Sequence, residues 1–152
     1  MAYFMGHHVD AVVARWRLKN GFSLLELLLV VALIGILAAF AVPTYKTYLQ
    51  KTRFMEVIQH SHAIRVAQSA CLLQVGDNIS ACDTFTKLTL PSPSASTNIQ
   101  SITLTATTGR ITGTGTAAAG GYTFMLTPSI DDAGLLSYAI DGSCVKVGFC
   151  GS

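Results

Sequence analysis

Between Phe22 and Val42 the chain reads FSLLELLLVVALIGILAAFAV, 21 residues with a single ionisable side chain, Glu26. As an α-helix this segment spans ~32 Å at ~1.5 Å per residue, enough to cross a hydrocarbon core of ~30 Å. Whatever else the chain folds into, this stretch must be covered by lipid or by other apolar surface. A carboxylate inside a membrane helix costs roughly 2.5–3.5 kcal/mol, so Glu26 points to function. The alternative is a side chain that only snorkels to a nearby interface. Pro43 follows the span and removes a backbone donor, and Gly35 lies eight residues before it. The stretch from Gly35 to Pro43 is expected to be the loosest part of a long helix.

Residues 1–21 read as a polar, basic leader. Arg15, Arg17 and Lys19 stand just before the span, and Ala11–Ala14 is too short for the apolar core of a secretory signal. By the positive-inside rule these cations keep the N-terminus in the cytoplasm and send the rest of the chain outward. Apolar residues make up 51% of the sequence and charged residues 12%, against about a quarter charged in an ordinary soluble domain. From Phe22 onward cations and anions balance at seven each. A neutral body argues against nucleic-acid binding driven by net charge, so DNA is possible as a partner but not indicated.

Helical character continues through residues 43–75, without glycine or a further proline after Pro43. Projected at 100° per residue, Tyr45, Tyr48, Leu49, Met55, Ala63, Val66, Ala67, Ala70, Cys71 and Leu73 form one apolar stripe, expected to pack on a globular core. Phe54, Val57, Ile58, Ile64 and Leu72 lie on the other side, where they are expected to meet neighbouring subunits. Gly76-Asp77-Asn78 ends the helix, and residues 76–100, with Pro91 and Pro93, read as an irregular connection. The remainder, residues 101–152, carries β-like runs at Ser101–Thr108, Arg110–Thr116, Tyr122–Pro128, Leu135–Asp141 and Ser143–Phe149. The expected fold class is α+β: a long N-terminal helix, half membrane-spanning (residues 22–42) and half amphipathic, packed on four or five antiparallel strands.

Four cysteines beyond a membrane span, Cys71, Cys82, Cys144 and Cys150, suggest disulfides in an oxidising compartment. They allow three connectivities. Short loops close at lower entropic cost, which favours Cys71–Cys82 with Cys144–Cys150.

The segment KNGFSLLELLLVVALIGILAAFAVPTYKTYLQKTR resembles the N-terminus of type IV pilins, of the type IVa-like major kind. The likeness combines a basic leader, a terminal Gly, then Phe, Glu at the fifth position, an unbroken apolar span and Pro after it. It closely covers about a third of the chain beyond the leader. The resemblance implies the pilin fold and a prepilin peptidase that cuts between Gly21 and Phe22 and methylates the Phe22 amine. It also implies a role for Glu26 in methylation and assembly, a helix that loosens at Gly35 and Pro43, and a C-terminal loop closed by Cys144 and Cys150. The partners it implies are identical subunits in a helical homopolymer and the assembly machinery of the bacterial inner membrane. The subunit would sit in that membrane before assembly and in an extracellular pilus (fimbrium) after it. The leader is longer than is common in that family, so residues before Val13 are expected to be dispensable. The Cys144–Cys150 loop is shorter than many.

Chemistry supports the same sequence of events. Cleavage removes Arg15, Arg17 and Lys19 and creates a cationic amine on Phe22, which can pair with Glu26 of a neighbour at low dielectric. The expected function is therefore a filament subunit for adhesion, twitching motility or DNA uptake, with no cofactor and no catalytic role. The alternatives are a pseudopilin of a type II secretion system, for which Asp131-Asp132 is the sole acidic cluster, and a DNA-binding minor pilin using Lys87, Arg110 and Lys146. His60 and His62 are two apart on a helix and point apart, unlike the three- or four-residue spacing of helical metal pairs. Gly113-Thr114-Gly115 lacks the Lys of a phosphate loop, and Ser23 has no local base.

Overall fold

A computed structural model of the chain describes residues 21–76 and 78–151. The expected leader up to Asn20, Asp77 and Ser152 lie outside the described residues. The chain divides into two units, one ending at Ala39 and one beginning at Phe40. In the first, every described side chain is exposed. Helix α1 runs Leu24–Val75, 52 residues, with Pro43 inside it. Leu, Ala and Met are strong helix formers, and together they outweigh one proline and one glycine. Around the proline, the Thr44 hydroxyl donates to the Phe40 carbonyl at 3.1 Å and the Thr47 hydroxyl to the Pro43 carbonyl at 3.2 Å.

The second unit holds a four-stranded antiparallel meander, in the order β1 (Ile99–Thr105), β2 (Arg110–Gly115), β3 (Thr123–Ile130) and β4 (Leu136–Asp141). Alternation puts Ile111, Phe124 and Leu126 on the inner face, and a register shift between Ile99 and Ser101 lets both Ile99 and Ile102 face inward, all five buried. On β2 two inward positions are Gly113 and Gly115. A Cβ on Gly113 would stand 2.7 Å from both the Ser61 hydroxyl and a Val57 methyl, and one on Gly115 would stand 3.0 Å from the Phe54 ring. The alternating Thr-Gly run is thus what lets α1 lie against the sheet. β3 continues past Pro128 to Ile130, beyond its last β2 partner, Leu126.

Two expectations are corrected. The face of α1 that meets the sheet is Phe54, Val57, Ile58, Ser61, Ile64, Gln68 and Leu72. The stripe of Tyr45, Tyr48, Met55, Val66 and Leu73, expected inside, is exposed. Two apolar faces exist, but the buried one is the face expected to lie outward, and of the expected inner stripe Leu49, Ala67 and Cys71 are half-buried. The core stripe is interrupted by Ser61 and Gln68, whose polar groups are satisfied locally. Ser61 Oγ donates to the Val57 carbonyl at 2.8 Å. The Gln68 amide donates to the carbonyls of Gly109 at 2.8 Å and Cys82 at 3.2 Å, and its oxygen accepts from the Tyr138 hydroxyl at 3.2 Å.

The second correction is the fifth strand. Ser143–Phe149 is not extended: Ser143–Lys146 forms the short helix α2. Gly142, at φ 119°, sits so close to the Thr123 main chain that a Cβ there would collide with it. The chain is then held by reciprocal bonds, Thr123 N–H to Ser143 Oγ at 2.9 Å and Ser143 N–H to Thr123 Oγ1 at 3.1 Å. Cys144 is joined to Cys150, with Cα atoms 5.5 Å apart, which closes the loop before a strand could pair. Cys71 at the end of α1 is joined to Cys82, with Cα atoms 6.0 Å apart.

The connection between α1 and β1 is anchored by charge. The Asp83 carboxylate is buried and accepts from Lys87 Nζ at 2.7 Å and from the Thr107 N–H at 2.6 Å. The Lys87 bond first, and the Thr107 amide second, hold its pKa below the ordinary carboxylate range. The tie fixes the β1–β2 turn, where Thr107 itself adopts φ 73°. At the other end, Glu56 on α1 accepts from Asn98 Nδ2 at 2.7 Å and Ser96 Oγ at 2.9 Å. Those two bonds, Asn98 first, lower its pKa.

Candidate assembly surface

The N-terminal residues singled out in the sequence fall on one continuous element. Gly21 and Phe22 precede α1, and Phe22 is 77% exposed. The Leu27 N–H donates to the Ser23 carbonyl at 3.1 Å, the first bond of the helix. Glu26 lies in that first turn, where a carboxylate suits the positive end of the helix dipole. Leu24, Leu25, Leu28, Leu37 and Phe40 are all exposed. Among the described residues no side chain covers this apolar surface, which lipid or another chain could cover. A Cβ on Gly35 would meet nothing within 4 Å. The lack of a side chain there is therefore not a packing requirement of the isolated subunit.

The exposed stripe on the second unit extends this apolar character. Tyr48, Met55, Val66 and Leu73 recur at seven- and eleven-residue steps, which keeps them on one side of α1. Tyr48 is 65% exposed and Leu73 82%. Such a row on a helix already packed through its opposite face is surface without a function in the monomer.

The cations weighed for nucleic-acid contact do not form one free strip. Lys87 is committed to Asp83, and Arg110 Nε donates to Thr127 Oγ1 at 3.1 Å. Among the described residues no three His, Cys, Asp or Glu side chains come together as a metal site. His60 is exposed, whereas His62 is half-buried with its ring edge against Phe124 at 5.4 Å. Burial, and after it the charge of Arg65, lowers the His62 pKa.

Sequence reasoning missed the residues that organise the head: Gln68, Asp83 and Glu56. Asp83 and Lys87 carry a visible signal, opposite charges four residues apart. Gln68 is legible only through periodicity, since it lies four residues after Ile64 and four before Leu72. For Glu56, whose partners are 40 and 42 residues away, no local signal exists.

Comparison with known proteins bears on the same segment. The profile of the prokaryotic N-terminal methylation motif matches residues 16–42. Prepilin peptidase-dependent protein D of Escherichia coli is 30% identical over 115 residues, covering 76% of each chain. A fimbrial protein of Pseudomonas aeruginosa is 34% identical over 110 residues, 62% of this chain and 71% of its own. The type IV major fimbrial protein FimA of Dichelobacter nodosus is 45% identical over 56 residues. That match spans 37% of this chain and 36% of the FimA chain.

Proposed function

The chain belongs to the type IV pilin family, and we propose that it is the structural subunit of an extracellular filament, assembled through α1 after its leader is removed. The observation that carries this reading is the apolar run from Phe22 to Val42, exposed along its whole length in the subunit and interrupted by one carboxylate, Glu26. A protein built to work alone would bury that surface; a subunit leaves it for its neighbours.

In the proposed sequence of events the precursor is held in the inner membrane by residues 22–42. A prepilin peptidase cuts between Gly21 and Phe22 and methylates the new amine. The Phe22 amine of an incoming subunit then pairs with Glu26 of one already in place. Apolar contact supplies affinity and is indifferent to sliding along the axis. The ion pair is directional and sets the register. Gly35 and Pro43 give the helix a stretch that unwinds at small cost as subunits pack. The disulfides at Cys71–Cys82 and Cys144–Cys150 suit a fibre that leaves the cell.

Of the roles open to such a fibre, this reading favours a major surface pilin over a secretion pseudopilin. The similarity to fimbrial proteins and the two cross-links in the head support that choice. The test is immunogold electron microscopy of sheared surface material. Abundant filaments decorated along their length are the expected result. Decoration confined to tips, or protein found only in the cell envelope, would overturn the major-pilin assignment.

A further inference from the structure

The head carries a second set of complementary features at its two ends. At the C-terminal end of α1 lies a groove of about 560 Å³ lined by Arg65, Val66, Leu73, Leu135 and Tyr138. Leu73 and Leu135 are 82% and 67% exposed. Beside it, the turn from β3 to β4 carries two adjacent carboxylates, Asp131 and Asp132. Asp131 Oδ1 accepts from the N–H groups of Ala133 at 3.0 Å and Leu135 at 2.8 Å, which fixes the turn and leaves its charge unneutralised. Among the described residues the one ion pair is Lys87–Asp83, so neither carboxylate has an ionic partner among them.

The opposite end is basic and aromatic. From Thr44 to Met55 the sequence contains Lys46, Lys51 and Arg53 and no anion. Tyr45 and Tyr48 are 62% and 65% exposed. Lys51 and Arg53 donate to the carbonyls of Gly148 at 3.1 Å and Ala118 at 3.3 Å, contacts that occupy donors without cancelling charge. Tyr48 and Leu73 lie on the same side of α1, 25 residues and therefore ~37 Å apart. The two ends cannot meet within one subunit.

We propose that the groove beside the β3–β4 turn is the seat for the Tyr48 ridge of a second copy of this chain, with Asp131 and Asp132 facing its Lys46 and Lys51. The inference rests on the filament reading and adds a specific head-to-helix contact to it. The occupant is the Tyr45–Lys51 segment and not the apolar span, because residues 22–42 carry no cationic side chain and the Phe22 amine freed by cleavage is assigned to Glu26. A contact between two different patches of the same molecule is heterologous, and where its rotation does not close a ring, repeats of it build an open helical filament. Apolar and aromatic surface fills the groove, and the charge pairs choose the register and reject a reversed neighbour.

The test is zero-length carbodiimide cross-linking of native filaments, followed by peptide mass spectrometry. Links from Lys46 or Lys51 to Asp131 or Asp132, absent from detergent-dispersed subunits, are expected. Filaments whose lysines join only to other carboxylates would overturn the contact. As a second reading, Asp132→Lys and Lys51→Asp should each lower filament yield about tenfold, through like-charge contact across the interface. The double variant should recover to within about twofold of wild type by the same logic. A double variant no better than the poorer single one would overturn the pairing. If the wild-type chain forms no surface polymer, the filament reading fails and this contact fails with it. Polymer with links elsewhere sinks this contact alone.

Discussion

Surface filament from cells carrying Glu26→Ala should fall to about a tenth of wild type or less, while the membrane pool of processed subunit persists. Alanine is more compatible with the bilayer than glutamate, so insertion is not impaired. Cleavage at Gly21 likewise needs no carboxylate in the span. The loss arises later, when each incoming Phe22 amine enters the apolar filament interior without its partner. An uncompensated buried charge costs about 3–5 kcal/mol per site, against about 1.4 kcal/mol for a tenfold change in an equilibrium. Glu26→Gln should be nearly as damaging, because it keeps the shape and removes the charge. Immunoblots of sheared filament against membrane fraction separate these steps. Filament at the wild-type level from Glu26→Ala would reduce the carboxylate to a snorkelling side chain.

The largest effect within the head is expected at Gln68. Its replacement by leucine keeps nearly the same volume in a fully buried site. The half-buried Tyr138 hydroxyl loses one partner but keeps Ser69, whereas the buried Gly109 and Cys82 carbonyls lose the Gln68 donor. Leaving such groups unsatisfied costs about 1–3 kcal/mol apiece. The sum is a large share of the stability of a small domain, and Tm should fall by on the order of 10 °C or more. Thermal unfolding of the detergent-solubilised full chain, followed by circular dichroism, measures it. A shift under about 2 °C would mean that Gln68 fills space without holding α1 to the sheet.

That glutamine also explains where the sequence was hard to read. The apolar run, the lone Glu26, Pro43 and the four strands were each legible, because each depends on local pattern: hydropathy, period-two alternation or turn residues. The core face of α1 was not. Judged by apolar residues, the stripe of Tyr48, Met55, Val66 and Leu73 is the more convincing core. The true core stripe includes Ser61 and Gln68, whose polarity is answered by partners elsewhere in the chain. Ser61 also sits where Gly113 leaves room for it, a fit between segments some 50 residues apart. A soluble monomer would present one apolar face, and the rule that the richer face goes inside would then succeed. It fails here because the richer face is left exposed and the core face is interrupted by two polar residues.

The Ser143–Phe149 run was misread for a related reason. Its alternation of Val145, Val147 and Phe149 with Cys144, Lys146 and Gly148 mimics a strand, but the link from Cys144 to Cys150 and the Thr123–Ser143 bonds turn the chain back on itself. Non-local constraints of this kind leave no period in the sequence. The interaction of Glu56 with Ser96 and Asn98 belongs to the same class.

The account depends on one covalent event: separation of the basic leader from the apolar helix, which exposes the Phe22 amine. Intact mass spectrometry of subunits from sheared filaments tests it most directly. The expected polypeptide begins at Phe22, heavier than its sequence by the CH2 that one methylation adds and lighter by the four hydrogens of its two disulfides. Filament subunits that retain Arg15, Arg17 and Lys19 would contradict it.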